Sequence, residues 1–431
     1  MDRPMRLDAG AFLKRCHHLE AALVRTCAGW IPSVHAIETK ALLAKLSWES
    51  ALTAGALRER VFEMRFPSRL MDVGVDEPLV AVFRASAHAP SSTALLEALA
   101  RTYFPTLIKA HGEYLEATDA LADAPSRRFL EQSIREKTRA ISDLEDALAD
   151  ELLATGPDHE GSASAWLQAI DAALAEVGGV GPDEPPELSM PAVLPPGRSY
   201  AIPVDPARDG RYLPCTFYWP DTLDPEYGYG SGIRLQLRSA VSHLNEVWAV
   251  EVAGAALYEL SDVLGWEFTA DAARWTYDES RHMLMGQRRL AAWGLDPAEI
   301  PLGRYIYDAS AAGGDPIYRI GMLGFFETKN IGKKKTRARA FGSMGDPMSQ
   351  RDMQFDWADE TIHAEYGRRW LKRLLEAQGR SADDYSAILD ECEALVSECK
   401  TGVSPEELAT VVACAERLVS RSEQLAADSG E

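Results

Sequence analysis

Asp278-Glu-Ser-Arg-His282 and Asp359-Glu-Thr-Ile-His363 decide how this chain is read. Both contain Glu-x-x-His, and no other position among the nine histidines does. At 3.6 residues per turn, positions i and i+3 share a helix face, so a carboxylate and an imidazole reach the same point from one helix. Two such pairs on separate helices, each preceded by an aspartate, form a pattern that surface salt bridging does not produce by itself.

Helical periodicity extends on both sides of each motif. Four helical segments are predicted, at about 233–264, 269–293, 316–341 and 349–378, joined at Gly265, at 294–303 and at 342–347. Carboxylate-bridged two-metal sites in four-helix bundles take one glutamate from each of two helices and a Glu-x-x-His from each of the other two. The third segment offers Glu327, after six mostly apolar residues. The first offers Glu251 or Glu246. Glu251 lies amid Val247, Trp248, Val250, Val252 and Ala253. A buried carboxylate costs several kcal/mol unless paired or metal-bound, so burial favours Glu251. Its distance from the Gly265 turn, nearly equal to that of Glu279, agrees. Glu246 remains the alternative, because the 33 residues from it to Glu279 equal those from Glu327 to Glu360.

The sequence resembles the ferritin-like di-iron carboxylate superfamily, which includes rubrerythrins, ribonucleotide reductase small subunits and bacterial hydrocarbon monooxygenases. The resemblance covers 233–378. Glu251 with Tyr258 seven residues on, followed by Asp278-Glu279-x-x-His282, is similar to the rubrerythrin pattern. Glu327 followed by Asp359-Glu360-x-x-His363 departs from it in having Lys334 where a tyrosine would fall. The resemblance implies Glu251, Glu279, His282, Glu327, Glu360 and His363 as metal ligands, with Glu279 or Glu360 bridging. It implies two iron ions, with manganese or a mixed pair using the same ligands, and dioxygen as co-substrate. Hard carboxylates and borderline imidazoles suit these ions. Asp278 and Asp359 are expected to hold the second ring nitrogen of the histidine on the facing helix. Trp248, Tyr258, Trp275, Tyr277 and Tyr366 are candidates to line a substrate pocket or pass electrons beside the ligands, with core packing the plainer role for most of them. The basic run at 333–339 offers a hold for an anionic substrate at the mouth of the site, with a solvated helix face the plainer reading.

The other regions are read as an all-α frame. Residues 1–178 read as helix after helix, a support domain or a degenerate bundle. His35, Glu38, Glu49, His111 and Glu116 lie there without a Glu-x-x-His, and no chemistry is assigned to them. Residues 179–232 are rich in proline and then in aromatics, and read as a linker whose aromatic part packs as a cover. Two further helices are predicted within 379–431. A net charge of −21 repels nucleic acid. No stretch is apolar enough to cross a bilayer, and the start lacks a signal-peptide pattern. Six cysteines without a CxxC pair suit reduced thiols in the cytoplasm. The expected function is a di-iron oxygenase or oxidase acting on a small organic molecule, with an external electron donor and a homodimer as an option. A rubrerythrin-like peroxidase or ferroxidase and a scaffold with a structural metal pair are the alternatives.

Overall fold

A computed structural model describes residues 4–65, 71–155, 160–182, 190, 199–217 and 232–428. The chain is all-α, its described strands being two-residue pieces at Leu213–Pro214 and Pro301–Leu302 that pair in parallel. It divides into two compact units, residues 1–30 with 42–202, and residues 31–41 with 203–431.

The first unit contains α1 (Arg6–Trp30), α2 (Ile37–Glu63) from Leu42 onward, α3 (Glu77–Arg84), α4 (Ser92–Ala98), α5 (Phe104–Ala117), α6 (Ala124–Thr155) and α7 (Glu160–Glu176). A turn of π-helix at Leu99–Tyr103 interrupts what the sequence suggests is one helix over 92–121. Phe12 stacks on Tyr114, with ring centroids 4.6 Å apart. Glu20 is buried against Lys137, 2.8 Å away. His111 is buried with neither ring nitrogen hydrogen-bonded.

The second unit holds α8 (Ile233–Asn245), α9 (Val247–Leu264), α10 (Trp266–Ala292), α11 (Tyr305–Ser310), α12 (Ile317–Ser343), α13 (Pro347–Ala377), α14 (Tyr385–Thr401) and α15 (Pro405–Asp428). The predicted first segment, 233–264, is two helices. Glu246, with φ −64° and ψ 2°, separates them: its N–H bonds to the His243 carbonyl, and the ladder restarts at Ala249. Helix α9 packs on α10, α10 on α13, α13 on α12 and α12 on α9, closing a ring of four, while α8 lies along α10. Apolar faces line the ring: α9 is buried from Val247 to Leu257 without a break. Glycines permit the closest approaches. A Cβ at Gly286 of α10 would come within 2.2 Å of the Leu244 backbone nitrogen, and one at Gly367 of α13 within 2.8 Å of the Gly324 Cα of α12.

Most of the proline- and aromatic-rich stretch, including Tyr218, Trp219, Tyr227 and Tyr229, lies outside the described residues. Of its aromatics that are described, Tyr212 and Phe217 are buried, and Phe217 packs on Tyr305.

Candidate metal centre

Helices α10 and α13 carry the two motifs, and their contact brings the histidines together, ring centroids 6.0 Å apart. The Nδ1 of His282 faces Glu246 Oε2 and Glu279 Oε2, both at 3.5 Å, Asp356 Oδ1 at 3.6 Å and Glu360 Oε1 at 4.0 Å. The Nδ1 of His363 faces Glu279 Oε1 at 3.1 Å and Glu327 Oε1 at 3.6 Å. Both imidazoles are fully buried, and neither Nδ1 has a hydrogen-bond partner of good geometry. The outer nitrogens point away from the cluster. His282 Nε2 lies 3.3 Å from Asp359 Oδ2, and His363 Nε2 lies 3.5 Å from Asp278 Oδ2, each across to the facing helix. Arg274 and Arg281 in turn pair with both aspartates.

Three groups of donor atoms close enough to share one ion follow from this arrangement. They are Glu279, Glu327, Glu360 and His363; Glu246, Glu279 and His282; and His282, Asp356 and Glu360. Among the described residues all such groups lie in the second unit. Glu279 and Glu360 belong to groups at both histidines, the placement a bridging carboxylate needs. Buried Nδ1 atoms without partners beside a crowd of carboxylates fit a pair of divalent ions, because both Nδ1 atoms and Glu246 Oε2 would otherwise remain unsatisfied.

Electrostatics follow the same geometry. Burial opposes charge on His282, but Asp356, Asp359, Glu246 and Glu279 outweigh it and hold its pKa well above the ordinary value. Burial likewise opposes charge on His363, and Asp278, Glu279 and Glu327 prevail. Burial, then Glu327, drives Glu360 well up. Burial, then Glu279, raises Glu327. The raised carboxylates reflect like charges crowded in a dry space, and the raised imidazoles reflect the same surplus of negative charge, which bound cations would relieve.

Glu251 is not in the cluster. It is buried, as its neighbours in sequence require, but its Oε1 meets Lys40 Nζ at 3.0 Å and Arg208 Nη1 at 2.5 Å. Lys40 is itself fully buried and also donates to the Ile31 carbonyl. Five residues beyond Glu246, Glu251 lies about 140° around the helix and faces the 31–41 and 208 segments. Glu246, at the break between α8 and α9, stands in the place expected of Glu251.

Sequence reading also missed Asp356, His243 and the burial of Lys334. Asp356 is one turn before Glu360, accepts from His243 Nε2 at 3.0 Å and pairs with Lys334 Nζ at 2.5 Å. Lys334 belongs to the run read as a solvated face, yet it is buried and lies 2.7 Å from Glu360. A signal for part of this was present. Glu246, Asp278, Glu279, His282 and Gly286 recur 81 residues later as Glu327, Asp359, Glu360, His363 and Gly367. Asp271 and Arg288 recur as Asp352 and Arg369, and the pairs cross over: Arg369 binds Asp271 and Arg288 binds Asp352. In this register Glu251 falls opposite Gly332.

The candidate pocket aromatics are placed unevenly. Trp275 donates from Nε1 to Glu279 at 3.0 Å and Glu327 at 3.3 Å. Tyr366 packs beside Trp275 and His363. Trp248 packs on Phe326, Tyr277 lies under Arg281, and Tyr258 is half-buried on α9. In the first unit, His17 donates from Nδ1 to the Ala54 carbonyl and His18 from Nε2 to that of Met71, so both are satisfied.

No curated protein and no solved structure matches the chain. Residues 224–402, which hold every member of the cluster, match the model of a family described as a protein of unknown function, DUF455.

Proposed function

We propose that the second unit is a ferritin-like four-helix bundle whose two-metal carboxylate centre, most naturally di-iron, activates dioxygen to oxidise a small organic molecule. One observation carries the reading: two buried histidines aim unpartnered Nδ1 atoms at a shared set of carboxylates, with the same donors recurring after 81 residues. Glu246, Glu279, Glu327, Glu360 and Asp356 would carry five negative charges, and Lys334 and two divalent ions would carry five positive ones. The buried site then comes to neutrality, which a dry interior demands. Two ferrous ions held by these residues would give dioxygen two electrons, one from each iron, and the external electron donor would restore them. The chain's own residues orient the donors: Asp278 and Asp359 fix the imidazole rings, and Trp275 holds Glu279 and Glu327 from one side.

Elemental analysis of protein purified from its own source, with anomalous scattering at the iron and manganese edges, tests the centre. The expected result is two ions per chain. Stopped-flow mixing of the reduced di-iron form with dioxygen tests the activity. A transient visible absorption whose decay responds to an organic substrate is expected. A protein loaded with two irons but inert to oxygen would overturn the oxygenase reading, and rapid turnover of peroxide or Fe(II) alone would replace it with the peroxidase or ferroxidase one.

A further inference from the structure

The 81-residue repeat makes the two halves of the cluster comparable position by position, and they differ at a few points that share one consequence. Trp275, beside His363, has Asp356 as its counterpart beside His282. Ala253 on α9 has Lys334 on α12 as its counterpart. Trp370, which donates to Asp271 at 2.9 Å, has the fully buried Arg289, which bonds to His243 Nδ1. The half around His363 is therefore flanked by neutral tryptophan donors. The half around His282 has an extra carboxylate and two buried cations. Arg274 and Arg281 bias neither half, because each pairs with both Asp278 and Asp359.

We propose that Lys334 is a resident cation that makes the two ion positions unequal, so that the first divalent ion settles at His363 and the second, at His282, binds more weakly. The inference rests on the metal-centre reading above. Its physical cause is competition. The Lys334 ammonium already lies 2.5 Å from Asp356 and 2.7 Å from Glu360, the two residues that would form one donor group with His282. An ion arriving there must share those oxygens with a positive charge in a medium that screens poorly. At His363 the donor group shares Glu360 with Lys334, but its other carboxylates, Glu279 and Glu327, are held by a neutral indole N–H, which a metal-bound carboxylate can keep. Lysine in this place also keeps Asp356 compensated when the second ion is away.

Metal-free full-length protein titrated with Mn(II), followed by calorimetry and electron paramagnetic resonance, reads the inequality directly. Wild type should bind two ions in phases at least tenfold apart. His363→Ala should remove the tight phase and His282→Ala the weak one. Lys334→Met should tighten the weak phase tenfold or more, while Lys334→Arg, which keeps the charge, should leave it weak. Crystals of wild type grown with one equivalent of Co(II) should place the anomalous peak at His363, and this measurement stands even if Lys334→Met does not fold. Two equal phases, equal anomalous occupancy, or a weak phase unmoved by Lys334→Met would overturn the inference while leaving the two-metal centre intact. No ion at either position in any of these proteins would overturn both.

Discussion

At the scale of single residues, burial alone does not pick out a metal ligand: the fully buried Glu251 pairs with Lys40, while the half-buried Glu246 faces His282. Glu246→Gln is expected to weaken divalent-ion binding by tenfold or more with little loss of stability in the metal-free protein. Glu251→Gln should leave ion stoichiometry at two but take from the buried Lys40 the carboxylate it pairs with, at a cost of about 3 kcal/mol in urea unfolding. The opposite pattern would return Glu251 to the centre. Asp278→Ala and Asp359→Ala remove the groups behind the histidines and should each lower affinity by about 10–100-fold, read in the same titration. His111 gives a pH-dependent test in the first unit. Burial, aided by Lys137, pushes its pKa down to about 3, whereas the unfolded chain titrates near 6.5. Below about pH 6.5 the unfolded state takes up a proton that the folded state refuses, so this residue makes stability fall as pH falls, by up to about 1.4 kcal/mol per unit. His111→Leu should flatten that loss between pH 6 and 4, as denaturant melts at several pH values would reveal. An unchanged slope would mean that the folded protein protonates His111 readily.

At the scale of elements, the helix pairs rather than the helices position the chemistry. Gly286 lies one turn after His282 and Gly367 one turn after His363, and each lets a neighbouring backbone approach closer than a Cβ allows. Gly286→Ala would force apart α10 and the α8 end that leads into Glu246. A loss of about 1–3 kcal/mol in thermal unfolding is expected from the overpacking, together with weaker ion binding. Gly367→Ala should act in the same way through α12 and Glu327. Stability or affinity unchanged in both variants would mean that the helices separate freely and that the cluster does not depend on their spacing. The break at Glu246 belongs to the same scale: one departure from the helical ladder decides which carboxylate of the first segment reaches the histidines.

At the scale of the whole molecule, the cluster is a store of repulsion inside the second unit. Divalent ions that bind the folded form should stabilise that unit, by about 4 kcal/mol at a thousandfold excess over Kd. Hydrogen exchange should accordingly slow in α9, α10, α12 and α13 on ion addition and stay unchanged in α1, α5 and α6. Protection spread evenly over both units, or absent from all of these helices, would count against a centre confined to the second unit. No described helix is long and apolar enough to cross a membrane.

The sequence by itself determined the all-α class, the four ring segments to within a few residues at most ends, and five members of the cluster. Those features are local: a period of 3.6 places Glu279 with His282 and Glu360 with His363 on one face whatever surrounds them. The partners of Glu251 were not legible, because Lys40 lies more than two hundred residues away in the chain and nothing in its neighbourhood marks it as buried. Lys334 was misread for a related reason, since a lysine within a basic run looks solvated until a facing helix supplies Asp356 and Glu360. Glu246 was partly legible in the repeat of spacings, but the turn that aims it is a property of α8 and α9 packed on α10. Periodicity fixes which face of a helix a side chain shares. Only the packing of distant segments decides what that face meets, and for buried charges the meeting partner decides the role.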